Sequence, residues 1–456
     1  MGNSNKSDGL KKEIGLGTAI LFVVGSTIGS GIFMAPQNMA AATSPGVSIV
    51  AWIVAAIGSV LIALSFANMA TKFPETGGCV QYTYTAFGEF PAFSVAWLYW
   101  IGQSTGGAAL IIACLRYMSK IFPVIGTNNL LAFGIGSAIL IILIVINIRG
   151  IKQGMMVSNI TTICKLLPLV LFVLLALFHF NPALFHTVSQ VSVKKDGAGF
   201  SSFPMAIAIA MWSFVGLESA TTAGGEIKNG AKNIRKATIF GTLGLVAVYL
   251  LVSILSTGIL SQNELAQSKA PIADMFNAMT GGNWGGLLIA IGVVISTIGC
   301  ANGGIILASR SAFAAAEHKL FPPIFASVNK KYKTPVYSII LSGVVSIVLL
   351  SMNYFKGLNA AYEFVMLLAT MTALPPYIMV AAADIVVARK QSTKINIVNF
   401  ITNSIVPLGA FTYVLYAIWG TGSDSVMWGF MLMIAGIPFY LYVRLKNKNE
   451  KSNAIG

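Results

Sequence analysis

Apolar stretches of about 20 residues recur from one end of the chain to the other, separated by short polar connections that carry glycine or proline. A helix of that length rises about 30 Å, the thickness of a bilayer's hydrocarbon core. The pattern predicts an all-α membrane protein of about twelve transmembrane helices, at roughly 15–43, 46–71, 91–115, 129–148, 154–178, 201–225, 237–261, 285–309, 336–352, 361–388, 397–419 and 425–443. The longest polar connections are expected around 181–200, 262–282 and 317–335, the last basic and punctuated by proline. The C-terminal KNKNEKSNAIG reads as a solvated tail without structure. The leading MGNSNKSDGLKKEIG lacks an apolar core followed by a small-residue cleavage site, so no removable signal peptide is expected.

Composition agrees with the pattern. The chain of 456 residues is 56% hydrophobic and 9% charged, with mean hydropathy +0.79. A soluble fold of this length could not hide so much apolar surface around one core. The net charge of +15 suggests an acidic partner at first sight. Its distribution removes that reading. With both termini cytoplasmic, 22 of the 29 basic residues fall on the inner side, six fall outside and Lys165 lies mid-span. The asymmetry is the positive-inside signature of a multi-pass cell-membrane protein, and it calls for no nucleic acid. Arg310 lies near the inner end of its span, where its side chain is expected to snorkel to the interface.

The remaining chemistry is sparse. Cys79, Cys114, Cys164 and Cys300 are scattered, the three histidines lack ligand spacing, and no phosphate-binding glycine loop is present. No metal, cofactor or enzymatic constellation is expected.

Two spans have weak centres. The first contains GSTIGSGIF at 25–33, and the sixth reads MAIAIAMWSFVGLESATTAGGE at 205–226. Both are rich in glycine and small polar residues, which make poor helix. Broken helices at corresponding positions of two halves point to a midplane site on an inverted repeat, and five spans separate these two. If GSTIGSGIF unwinds, the N–H groups of Gly29, Ser30 and Gly31 become donors at a half-helix N-terminus, suited to a carboxylate. Carbonyls near Phe214, Val215 and Gly216 would accept from an ammonium. The plainer alternative is close helix packing through small residues such as Gly25 and Gly29.

Buried charge adds two candidates. An ionised residue mid-span costs about 2.5–3.5 kcal/mol on insertion scales, so it needs a reason. Glu218, the most central acid, could pair with a cationic substrate, switch with protonation, or hold the helix break open. Lys165, in TTICKLLPLV, either serves the core or snorkels to the interface.

The runs GSTIGSGIFMAPQ, FPETGGCVQYTYTAFGEF, WSFVGLESATTAGGEIKN followed by NIRKAT, and FAAAEHKLFPPIF resemble the amino acid–polyamine–organocation transporters over essentially the whole chain. The similarity is nearest to their basic amino acid/polyamine antiporter branch. That resemblance implies a LeuT-type fold of two inverted five-helix repeats plus two C-terminal helices. On that scheme residues 1–14 form an inner tail, the repeats cover about 15–180 and about 200–390, the extra helices about 397–443, and 444–456 a second tail.

It further implies substrate contacts at Thr27, Ile28, Gly29, Ser30, Gly31, Gln103, Gly107, Trp212, Val215, Glu218 and Gly304. Trp212 and Tyr99 would act as gates. Gly107 and Gly304 stand where arginine/agmatine exchangers carry an asparagine and a tryptophan, which enlarges the pocket and removes contacts to a guanidinium. Lys165 matches a fifth-span lysine that replaces the sodium ion of sodium-coupled relatives. The function implied is sodium-independent exchange of cationic amino acids or their decarboxylated amines, with neutral amino acid exchange as the alternative. Small molecules and the lipid bilayer are the implied partners, and a homodimer is left open. A channel should show repeated polar rings and a sensor a soluble output domain, and the sequence offers neither.

Overall fold

A computed structural model describes residues 12–185, 200–391 and 397–453. All twelve expected spans are helical within it. The first is split into Leu16–Thr27 and Ser30–Ala42. Pro45–Lys72, Glu89–Ile121, Asn129–Ile148 and Ile151–His179 follow as the second to fifth. The sixth is split after Phe203–Phe214, and Gly230–Ser256, Trp284–Glu317, Val336–Leu350 and Met352–Gln391 form the seventh to tenth. Ile397–Gly420 and Ser423–Asn453 complete the set. Among the described residues nine segments are long and apolar enough to cross a membrane, and three shorter apolar helices accompany them. The only extended pairing among them is an isolated bridge between Ile14 and Ile227.

Long side chains face outward where lipid is the natural solvent. Leu130 and Ile142 of the fourth span and Leu167 and Phe178 of the fifth are largely exposed. The third helix instead packs at the centre against both the eighth and the tenth. There small residues replace large ones: Gly102, Gly106 and Gly107 on the third helix, and Gly299, Gly303 and Gly304 on the eighth, are all buried. Close backbone approach is what small residues supply in a membrane interior.

Several boundaries differ from expectation. The third helix runs to Ile121, so Arg116 and Lys120 belong to its last turns and not to a loop. Backbone hydrogen bonding continues past the apolar window because a polar side chain at the headgroup level still needs its main chain satisfied. The connection at 262–282 holds two short helices, Gln262–Gln267 and Pro271–Thr280, the first opened by a Ser261/Glu264 capping box. The last helix extends to Asn453 through most of the expected tail. Its Lys and Glu residues are good helix formers and propagate a ladder already nucleated in the membrane. Residues 1–11, 186–199 and 454–456, where parts of the tails and one loop were expected, lie outside the described residues.

Arg310 does not snorkel. It is fully buried and forks onto Glu226, with Nε 3.1 Å from Oε2 and Nη2 3.1 Å from Oε1. The chain after the sixth span folds back as a 3-10 turn, Gly224–Glu226, and brings the acid to the arginine. Bidentate pairing then offsets desolvation that an exposed headgroup contact would have avoided.

Candidate functional site

The first span breaks at two residues. Ile28 (φ −72°, ψ 89°) and Gly29 (φ −118°, ψ −136°) leave the helical region, and Ser30 begins a new helix with no side-chain cap. The remainder of GSTIGSGIF stays helical, so the unwound stretch is shorter than its composition suggested. Glycine is demanded by space: a Cβ on Gly29 would lie 2.6 Å from Leu110, and one on Gly31 would lie 2.7 Å from the Ser213 backbone. The sixth span breaks at Val215 and at Gly216, whose φ of +111° suits only glycine, before a short turn of helix at Ser219–Thr222. Gly216 passes within contact of the first break, because a Cβ there would sit 2.8 Å from the Ser26 carbonyl oxygen.

A broken helix leaves carbonyls without partners. Here the carbonyls of Gly25, Ser26 and Ile28 each meet a donor. The Lys165 ammonium donates to Gly25 O and Ile28 O, both at 2.7 Å. Cys300 Sγ donates to Ser26 O at 2.8 Å, and Ser296 Oγ to Ile28 O at 3.2 Å. Lys165 is fully buried, so it does not snorkel. It bridges the two ends of the unwound turn as a bound cation would.

Glu218 performs the matching task at the sixth break. Its Oε1 accepts from Tyr99 OH at 2.6 Å and Gln103 Nε2 at 3.5 Å. Its Oε2 accepts from Gly216 N at 3.1 Å and from Tyr377 OH. Four donors fill the lone-pair sites a carboxylate offers. Two of the three carbonyls expected to receive an ammonium are also engaged, Phe214 O by Leu217 N and Gly216 O by Ser219 N.

Between the breaks lies a cavity of about 40 Å³, room for a few waters. Thr27, Gly29, Ser30, Gly31, Gln103, Gly107, Trp212, Val215 and Gly304 line it. Of the residues expected at the substrate, Ile28 and Glu218 stand behind this wall, Ile28 offering its carbonyl to Lys165 and Glu218 reaching the cavity through Gln103. Tyr99 packs with Glu218 and is also outside the lining. Ser26, Gly102, Gly106, Leu110, Cys300 and Ala373 join the lining without having been expected. The i, i+4 spacing of Gly102 and Gly106 could have signalled a groove on the third helix. The contribution of Tyr377 had no local signal, since it lies 159 residues from the acid it contacts.

The two faces of the cavity are closed to different depths. On one side Tyr362 OH meets Ser30 Oγ at 3.1 Å beside Trp212, and beyond this thin lid opens a vestibule of about 530 Å³. On the other side the Glu218 cluster is backed by several layers. Gly77 N donates to Thr222 O at 3.0 Å and Gly225 N to Thr76 Oγ1 at 3.2 Å. Deeper still, Glu226 O accepts from the amides of Glu13 and Ile14, both at 3.0 Å, next to the Arg310–Glu226 pair.

Comparison with known proteins agrees with this architecture. The amino acid permease family model matches residues 14–441. The chain is 30% identical over 454 residues to an arginine/agmatine antiporter of Chlamydia pneumoniae, covering 97% of this chain and 93% of the relative. It is also 30% identical over 416 residues to an arginine/ornithine antiporter of Pseudomonas aeruginosa, covering 90% and 85%. A family match across both helix breaks and nearly the whole chain places the protein in the amino acid permease family of the amino acid–polyamine–organocation superfamily.

Proposed function

We propose that the protein is a sodium-independent antiporter that exchanges cationic amino acids, or the amines derived from them, by alternating access. Its orientation places both termini in the cytoplasm, the vestibule outside and the Arg310–Glu226 layer inside. The observation that carries the mechanism is the Lys165 ammonium between Gly25 O and Ile28 O. A site already neutralised by a tethered cation has no use for a mobile one. The first turn of Ser30–Ala42 directs amides toward the cavity for a carboxylate, and unwound backbone at Val215 faces it for an amine. The names of the relatives from Chlamydia and Pseudomonas support cationic passengers.

One observation favours neutral amino acids instead. No acid lines the cavity, and Glu218, the nearest, has its oxygens filled by protein donors. Counterflow in sodium-free vesicles separates the readings. Arginine, ornithine, agmatine, putrescine and neutral amino acids are preloaded singly, and entry of each labelled compound is followed. Trans-stimulation among cations is the expected result; stimulation by neutral amino acids alone would replace it with the second reading.

A further inference from the structure

The third helix delivers Arg116 to the vestibule wall. The residue is 8% exposed, and its guanidinium carbon lies 5.3 Å from the centre of the Tyr362 ring. Its buried Nε has no hydrogen-bond partner, and no ion pair to Arg116 exists among the described residues. The vestibule lining adds Lys269 and the neutral polar groups of Gln37, Asn38 and Ser268, and no acid among the described residues. Asp274, which reaches Ser268 at 2.5 Å, is occupied by that hydroxyl and by Lys120 at 3.4 Å.

Arginine stays charged in proteins, and burying it without an anion is costly. A guanidinium left unpaired in a wet cavity is therefore open to an anion arriving from solution, and its planar fork fits a carboxylate. The neighbouring Tyr362 hydroxyl bonds Ser30, whose side chain also borders the inner cavity. Vestibule and cavity thus share one continuous polar wall.

We propose that Arg116, with Tyr362 beneath it, is an outer subsite for the carboxylate of an amino acid, and that it selects carboxylate-bearing substrates over decarboxylated amines on the vestibule side. An amine of the same side chain meets two positive charges there and, among the described lining residues, no acid to pair with. This selectivity rests on the antiport reading above.

The test measures counterflow into right-side-out vesicles preloaded with arginine, with external arginine or agmatine varied. The wild type should show a lower KM for arginine than for agmatine. Arg116→Gln should raise the arginine KM about tenfold, the effect of losing one charge-assisted contact, with kcat and the agmatine KM held or the latter lowered. Arg116→Lys should restore part of the preference. A ratio of the two KM values unchanged in Arg116→Gln overturns the proposal, as does a preference that follows replacement of chloride by gluconate. A readout on the unaltered protein guards against poor folding of the variant. Arginine methyl ester, which lacks the carboxylate, should inhibit worse than arginine from the vestibule side by a larger factor than from the opposite side, and equal factors overturn the proposal. If only neutral amino acids exchange, the cationic reading fails by itself, and the same comparison is made with a neutral amino acid and its amine.

Discussion

Lys165 and Glu218 divide the work of holding two helix breaks open, one as donor to orphan carbonyls and the other as acceptor for tyrosine hydroxyls and a freed amide. Removing the ammonium strands the carbonyls of Gly25 and Ile28 at membrane depth, where unsatisfied backbone is costly. Lys165→Ala should abolish exchange while protein still reaches the membrane, and wild-type rates in reconstituted vesicles would return the lysine to a passive role. Trp212 borders both the cavity and its thin outer lid. Trp212→Ala should raise KM for every substrate and lower thermal stability in detergent, since the side chain is buried in the hydrophobic core as well as bordering the cavity; an unchanged KM would remove it from the substrate path. Lys165 was legible in the sequence as a lone charge in mid-span, and Trp212 through the resemblance to the transporter family. Tyr377 and Cys300 were not legible. Their roles arise only from long-range packing that sets a tenth-span hydroxyl and an eighth-span thiol against backbone oxygen or carboxylate.

The two broken segments act as a unit because glycine lets their backbones touch. Gly31 abuts Ser213, and Gly216, at φ +111°, abuts the Ser26 carbonyl. Gly216→Ala should cost about 1–3 kcal/mol from its backbone conformation alone, before the clash is counted. Gly31→Ala should push the half-helices apart. Both variants are expected to melt earlier and to transport poorly. Gly304→Ala is the contrast, since its Cβ would find only Gln103 O at 3.5 Å. It should fold normally and shift KM by narrowing the cavity, and an equal loss of stability would mean that the eighth helix is packed more tightly than its surroundings indicate. Element positions followed from hydropathy, and the two breaks from clustered glycines. Their extent did not, because residues such as Thr27 and Ser30 stay helical wherever the ladder can still close. Helix ends were also hidden: Arg116 and the last helix continue beyond the apolar window for reasons of backbone satisfaction that hydropathy does not record.

Across the whole molecule the unequal closure of the two faces is the main asymmetry. One face is a single hydroxyl contact deep, and the other stacks the Glu218 cluster, the Thr76–Gly225 contact and the buried Arg310–Glu226 pair. Glu226→Ala leaves a buried guanidinium alone, a change that costs about 3–5 kcal/mol in comparable sites. It should also loosen this face. Cys300 borders the cavity and reports on such opening: with Cys79, Cys114 and Cys164 replaced by serine, thiol labelling from the face that the Arg310–Glu226 pair closes should speed up in Glu226→Ala. Unchanged labelling would make the pair a fold element and not part of the seal. No span-by-span hydropathy argument could have paired these two residues, since the acid lies in a connection and the arginine 84 residues further on.

The tethered ammonium of Lys165 has an energetic corollary. An ion that cannot dissociate stores no gradient, so the tethered ammonium leaves the concentrations of the two passengers and, where their valences differ, the membrane voltage to power each cycle. The current per turnover then equals the difference in their valence. Trading an amino acid cation for its divalent amine moves one elementary charge, worth about 2.3 kcal/mol per 100 mV. Exchange of like for like is electrically silent. A protein built this way would convert a chemical supply of one substrate into membrane voltage, and a voltage into uptake of the other, with no inorganic ion as intermediary.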